Sequence, residues 1–317
     1  MRVPNLPNVH FMPFTEIYDK RPALLVTSGP AWNAVKDNLC GLNINTTVYV
    51  TEATTDHWDS LLNRPPAPTE VVYAVGGGLA ADAAKYFALK LNLPLVVLPT
   101  ALSVDAFITG ASGIRKDGCV YYIDTKVPER LILDLETVGK APASLRAAGI
   151  TDVMSIATGA WDWKVAHEQG KNPAGMEFIP WVYDNAQSIL RGVLDCAEAA
   201  GRGDRDGLKI LYDCLAMEVQ LCNQVGHSRP EEGSEHYFAY AVENELGHGL
   251  PHGDLVGPGI LLIAKLQGQN IAPLEKALKA CNVPLNNIPQ DMIERTLKTL
   301  PAYSKTHNLS FGIAHTL

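Results

Sequence analysis

Residues 227–254, HSRPEEGSEHYFAYAVENELGHGLPHGD, carry His227, His236, His248 and His252. His236 and His252 stand on either side of a helical segment, and upstream Asp152 lies in AAGITDVMS. One carboxylate and two imidazoles suit a divalent metal that keeps an open coordination position. Such a metal polarises a carbonyl or lowers the pKa of an alcohol. Taken singly, each residue also has an ordinary structural explanation. Asp152 begins an apolar helical stretch after Gly149, where an Asp often serves as a cap. A lone helical His is commonly a satisfied core residue, and the glycines around His252 permit unusual backbone angles with or without a ligand. His227 and His248 are weaker candidates, as groups behind the ligands or as proton carriers. His10, His57, His167, His307 and His315 are expected at the surface.

A second locus is GGG at 76–78, between a predicted strand, VVYAV, and a strong helix former, LAADAAKYFALKL. Glycines there let the backbone approach a pyrophosphate, and the helix N-terminus offers free N–H donors and a favourable dipole. A dinucleotide at the carboxyl ends of the strands is favoured over a turn without a ligand. PTALSVD (99–105) follows the next strand, so it belongs on the same sheet edge. Thr100 and Ser103 can donate to a phosphate or ribose, and Asp105 can bind a hydroxyl. A capped turn explains this segment equally well.

The elements that must position these residues fall into two kinds. Over 22–135, short β-rich runs alternate with helical patterns: PALLVTSG, TTVYVT, VVYAV and PLVVLPT read as strands. That alternation predicts a mostly parallel sheet covered by helices. In 111–135 the runs CVYYI and RLILDL flank polar turn residues, which predicts a flap or hairpin ending in a last strand. From about residue 137 the periodicity is helical throughout, so the fold class is α/β: a Rossmann-like parallel-sheet domain, 1–138, followed by an all-helical domain, 139–317.

The composition limits the function classes. The chain has 317 residues, 47% hydrophobic, enough for a sizeable core without disulfides. A net charge of -8 with no Lys/Arg run gives no footprint for nucleic acid or an anionic membrane. The six cysteines form no CxxC pair and read as buried thiols of a reducing compartment. The N-terminal segment is not a signal peptide, and no stretch is apolar enough to span a bilayer, so a cytoplasmic enzyme is expected.

The motifs also carry a resemblance. AVGGGLAADAAKY resembles the GGGSxxDxAK signature of the iron-containing alcohol dehydrogenase and dehydroquinate synthase superfamily, and PTALSVDAF resembles its PTxxSxD segment. RAAGITDVMS, SRPEEGSEH and LPHGDLVGPG are most similar to the sn-glycerol-1-phosphate dehydrogenase branch. The resemblance implies NAD or NADP as cofactor and a divalent metal, with zinc favoured and nickel or iron as alternatives. It implies Asp152, His236 and His252 as metal ligands, and Gly76, Gly77 and Gly78 at the pyrophosphate. Asp82, on the signature, joins Thr100, Ser103 and Thr109 as cofactor-binding residues, and Asp105 falls on the substrate. With Asp105, Tyr240 and His248 complete the catalytic candidates.

Four departures bear on specificity. Leu79 replaces the signature Ser. Tyr240 stands four residues after His236, where the dehydrogenases commonly carry a second, substrate-contacting His, which puts glycerol phosphate in question. Ile156 stands where iron-type enzymes have an extra His ligand, leaving three ligands. TEATT replaces an Asp-containing turn, which eases NADP use, although Glu52 could bind a ribose hydroxyl.

The expectation is therefore a metal-dependent NAD(P) oxidoreductase interconverting a small polyol, or its phosphate, and the ketone or aldehyde. The partner is a small-molecule substrate; a homo-oligomer is compatible with the edge strands and apolar helices. The alternative is a dehydroquinate-synthase-like cyclase, a lyase using NAD transiently. Those enzymes usually have Glu as the first ligand, so Asp152 favours the dehydrogenase. A non-catalytic relative would have no need of all three ligands.

Overall fold

The computed structural model describes residues 6–62, 67–247 and 249–317. His248 therefore lies outside the described residues. Contacts divide the chain into Met1–Ala141 and Pro142–Leu317.

The first unit runs β1 (Asn8–Phe11), β2 (Asp19–Thr27), α1 (Gly29–Val35), β3 (Leu42–Tyr49), α2 (Thr55–Leu62), β4 (Val71–Gly76), α3 (Gly78–Leu91), β5 (Leu95–Pro99), β6 (Ala111–Lys116), β7 (Cys119–Asp124), β8 (Arg130–Leu133) and α4 (Leu135–Gly139). Six strands form a parallel sheet in the order β1-β8-β5-β4-β2-β3. In the centre, β4 (VVYAVG) and β5 (LVVLP) are buried at every residue, as strands covered on both faces must be. The chain leaves β2 towards β3 on one side and returns to β4 on the other. The strand order thus reverses between β2 and β4, where a doubly wound sheet opens a crevice at its carboxyl edge.

Two details differ from the sequence-based reading. β1 was not anticipated: it is four residues long, mostly exposed, and exists through parallel pairing with β8, Asn8 opposite Arg130. The hairpin joins β6 to β7, not CVYYI to RLIL. Its turn is Asp117–Gly118, both at positive φ, and β8 (RLIL) returns to the main sheet as the expected last strand.

The second unit runs α5 (Ala143–Met154), α6 (Ile156–Glu168), α7 (Pro180–Arg202), α8 (Arg205–Val225), α9 (Ser234–Leu246), α10 (His252–Leu266), α11 (Ala272–Ala280) and α12 (Gln290–Thr306), then a short 3-10 turn at Ile313–His315. Its long helices are amphipathic. In α7 the buried residues Val182, Ala186, Ile189, Val193, Ala197 and Ala200 recur at steps of three and four. No helix among the described residues is long and apolar enough to cross a membrane. None of the six cysteines is in a disulfide; Cys119, Cys196, Cys214 and Cys281 are buried as expected, but Cys40 is exposed.

Candidate metal centre and dinucleotide site

Three helices of the second unit bring the predicted ligands together. Asp152 lies in the last turn of α5, His236 in the first turn of α9, and His252 is the first residue of α10. Asp152 is therefore not a cap at a helix start: α5 runs through the buried Gly149 without a break. Nor is His252 in a loop, because Pro251 at the N-cap starts α10 directly at it.

One donor atom from each residue lies within 4.8 Å of the others. His252 Nε2 is 3.0 Å from Asp152 Oδ1 and 3.3 Å from His236 Nε2, and His236 Nε2 is 4.0 Å from Asp152 Oδ1. Ligands on a tetrahedral metal with bonds of 2.0–2.2 Å stand about 3.4 Å apart, so these separations bracket what the donors need. Both imidazoles present Nε2, and His236 turns its other nitrogen, Nδ1, to Glu235 Oε1 at 2.8 Å. A carboxylate behind a ligating His fixes the ring and strengthens it as a donor. Glu235 is fully buried, and the same oxygen accepts the Gly233 N–H. Burial alone would push the His236 imidazole down. The Glu235 hydrogen bond and the charges of Glu232, Glu235 and Asp152 outweigh it and raise the group to about 9. This is an acidic environment that calls for a cation, and the donor set fits a divalent metal.

The segment that carries His236 is fastened from behind. Asp162 on α6 is fully buried; its Oδ2 accepts from Ser234 N and Ser234 Oγ, and its Oδ1 accepts from Ile313 N and Gln267 Nε2. Burial still pushes its carboxyl up, to about 6. Arg229 donates to Phe311 O, so residues 311–313 brace the start of α9. Ser155 Oγ donates to the Glu231 carbonyl, tying the same loop to the end of α5. At Gly159 a β-carbon would come within 2.7 Å of Glu232 N, so only glycine lets α6 approach this loop so closely.

Of the remaining candidates, Tyr240 is buried one turn after His236, its ring 5.8 Å from the imidazole, and its hydroxyl donates to Glu232 Oε1 at 2.8 Å. His227 belongs to an aromatic cluster with Trp163, and burial with the Arg229 charge lowers it to about 4. His10 and His167 are exposed, whereas His57, His307 and His315 are half-buried rather than surface residues.

In the first unit Gly76, Gly77 and Gly78 end β4 and open α3 beside the reversal point. Gly76 has φ +147, a conformation that L side chains avoid. Gly77 is the N-cap of α3, with no side chain over the first N–H groups. Thr100 N donates to Gly76 O, and Ser103 Oγ is the nearest atom to where a Gly77 β-carbon would stand. The two segments predicted to share an edge therefore do so. Asp105 opens a 3-10 turn, Asp105–Phe107, and Thr109 Oγ1 accepts from Ala111 N. Asp82 faces inward, pairing with the buried Lys85 Nζ at 2.9 Å, while Lys85 also donates to Ala111 O. Glu52 is exposed and its carbonyl receives Trp58 Nε1.

Residues 21–142 match the family model described as iron-containing alcohol dehydrogenase. Glycerol-1-phosphate dehydrogenase [NAD(P)+] from Methanothrix thermoacetophila is 30% identical over 258 residues, 75% of this chain and 72% of that enzyme. The chain belongs to the glycerol-1-phosphate dehydrogenase branch of the iron-containing alcohol dehydrogenases. The enzyme of the same description from Sulfolobus acidocaldarius is 29% identical over 72% of this chain and 65% of its own length. In structure, the chain is similar to glycerol dehydrogenase from Schizosaccharomyces pombe, with TM-score 0.68 and 20% identity over 98% of this chain and 86% of that one. It is also similar to sulfoacetaldehyde reductase from Bifidobacterium kashiwanohense, solved with NAD+, with TM-score 0.68 and 16% identity over 97% and 93%. Membership of this branch makes the chain an NAD(P)-linked dehydrogenase that works with a metal.

Sequence reasoning missed Glu235, Glu232 and Asp162. Glu235 had a signal, since it adjoins a candidate ligand. Glu232 and Asp162 had none short of the folded contacts.

Proposed function

We propose that this chain reversibly oxidises one hydroxyl of a small polyol, or of its phosphate, to the carbonyl. The hydride passes to NAD(P)+ and the hydroxyl proton to solvent. The observation that carries this is the Asp152, His236 and His252 cluster with Glu235 behind it: three donors and a buried orienting carboxylate. These three residues would hold the metal; the family resemblance favours zinc, and the donor set itself accommodates nickel or iron as well. When bound, the metal supplies the Lewis acidity that makes an alcohol easier to deprotonate. Glu235 holds the His236 ring so that Nε2, not Nδ1, faces the cluster. Tyr240 lines the same side of α9.

Gly76, Gly77 and Gly78 would cradle the pyrophosphate against the start of α3. Thr100, Ser103 and Thr109 would contact the cofactor, and Asp105 would take a substrate hydroxyl. Asp82 would act through Lys85, by fixing α3 against β6, and not by touching the dinucleotide. The glycerol-1-phosphate enzymes among its relatives make glycerol, its phosphate and the matching ketones the first substrates to try.

The test is to load the protein with zinc, add NADH or NADPH with dihydroxyacetone or its phosphate, and follow the absorbance of reduced nicotinamide. Net oxidation that depends on the metal is the expected result. Product formation with no net change in nicotinamide, or no turnover with either ketone, would overturn the reading.

A further inference from the structure

Residues 311–314 lie against the first turn of α9, the turn that carries His236. Phe311 O accepts Arg229 Nη2 at 2.7 Å, Ile313 N donates to Asp162 Oδ1 at 2.9 Å, and Ala314 N donates to Ser234 Oγ at 3.0 Å. Between them, a β-carbon on Gly312 would overlap Asp162 Oδ2 and stand 2.8 Å from Ser234 Oγ. Ser234 in turn gives its N–H and its hydroxyl to Asp162 Oδ2, at 2.9 and 2.5 Å. One buried carboxylate and one buried hydroxyl thus join α6, the start of α9 and residues 311–314. Asp162 Oδ1 also takes Gln267 Nε2 at 3.0 Å, at the end of α10, the helix that begins with His252. From Ser234 the path to the metal cluster is short. The peptide unit between Gly233 and Ser234 gives its N–H to Asp162 and takes His236 N on its carbonyl at 3.1 Å. Gly233 N donates to Glu235 Oε1 at 2.7 Å, and that oxygen meets His236 Nδ1 at 2.8 Å. Backbone and ring of His236 are therefore both referred to the turn that Asp162 and residues 311–314 hold.

We propose that residues 311–314 are a positioning strap for the metal centre: by closing on Asp162 and Ser234 they fix the first turn of α9, and with it the place of the His236 donor. This rests on the reading of Asp152, His236 and His252 as metal ligands and adds what keeps one of them in register. A site whose supporting groups loosen by about 1 Å no longer holds its ligands in the geometry the metal needs. Ile313 and Ala314 act through backbone N–H groups, which a change of side chain leaves in place. Gly312 is where a side chain breaks the contact. Its φ is -156, ordinary extended backbone, so an added methyl acts by crowding Asp162 and Ser234 and not by straining the chain.

The experiment is Gly312→Ala, with zinc affinity measured by chelator competition and the geometry of the site read from the visible absorption of bound cobalt(II). The variant is expected to bind zinc at least about tenfold more weakly than the wild type, the low end of what disturbing the groups behind a ligand costs. Its cobalt spectrum is expected to shift. Circular dichroism of the metal-free variant shows whether the helical unit is folded. A brace that only adds stability would lower the unfolding midpoint and leave the folded site as it was. Zinc affinity or a cobalt spectrum left unchanged in folded Gly312→Ala would therefore overturn the proposal. If Gly312→Ala does not fold, the wild type decides by hydrogen exchange. Coupling between two sites is reciprocal, so zinc should slow exchange at the Ile313 and Ala314 amides. Exchange there at the same rate with and without zinc would overturn the proposal. A wild type that takes up no zinc would remove the metal reading itself, whereas intact affinity in the variant would remove only the strap.

Discussion

Asp162→Asn tests whether the buried brace behind α9 works as described. Each Asp162 oxygen accepts two hydrogen bonds: Ser234 N at 2.9 Å and Ser234 Oγ at 2.5 Å on one side, Ile313 N at 2.9 Å and Gln267 Nε2 at 3.0 Å on the other. An asparagine can offer its oxygen to one pair only, and its NH2 then confronts two donors. Losing two hydrogen bonds to a charged acceptor costs about 3–5 kcal/mol. Against this, the buried charge is itself disfavoured. Burial is the dominant cause and lifts the carboxyl from 3.8 to about 6, which corresponds to about 3 kcal/mol.

The pH dependence follows from that direction. The folded state holds the proton more tightly than the unfolded one, so this contribution is fully present below 3.8 and is lost as pH rises through about 6. Roughly 2 kcal/mol of it disappears between pH 4.5 and pH 8. Asparagine cannot titrate. The advantage of the wild type over Asp162→Asn should therefore be about 2 kcal/mol larger at pH 4.5 than at pH 8. Urea unfolding of chelator-treated protein at the two pH values measures both differences. A gap that is equal at both pH values, or wider at pH 8, would refute the argument.

Three further outcomes are expected. His252→Ala should lose bound zinc and dehydrogenase activity while still binding the dinucleotide; metal analysis and nicotinamide fluorescence check the two halves. Glu235→Ala should weaken zinc about 10–100-fold in a chelator competition, because the His236 ring loses the carboxylate on Nδ1. Gly77→Ala meets only Ser103 Oγ at 3.6 Å, so the melting temperature should hold. Its KM for NAD(P) should rise, since the new methyl covers the helix N-terminus; an unchanged KM would place the pyrophosphate elsewhere.

Local patterns made part of this molecule readable. The runs VVYAV and PLVVLPT are apolar at consecutive positions because their strands are covered on both faces, and GGG marks a turn where a strand gives way at once to a helix. The three candidate ligands were identifiable by residue type. Their settings were not, because burial and long-range contact decide them. Gly149 looked like a helix boundary, yet it lies inside α5 and is buried there, which moves Asp152 from a first turn to a last one. β1 has almost no signal of its own and needs β8, far along the chain, to be a strand at all. The residues after 300 carry no recognisable motif, yet Ile313 N reaches Asp162 and Ala314 N reaches Ser234 Oγ. A backbone N–H can serve there with almost any side chain attached, so such a role leaves little trace in residue type.

The way Asp162 is held also sets when the metal centre can come into being. His252 follows Asp152 by 100 residues, and Ile313 follows Asp162 by 151. Closure over such separations comes late in folding, after the local helices have formed. In small zinc modules the ion drives the chain to fold. Here the ion is expected to meet helices already assembled around it, so that its uptake reports a finished helical unit instead of initiating one.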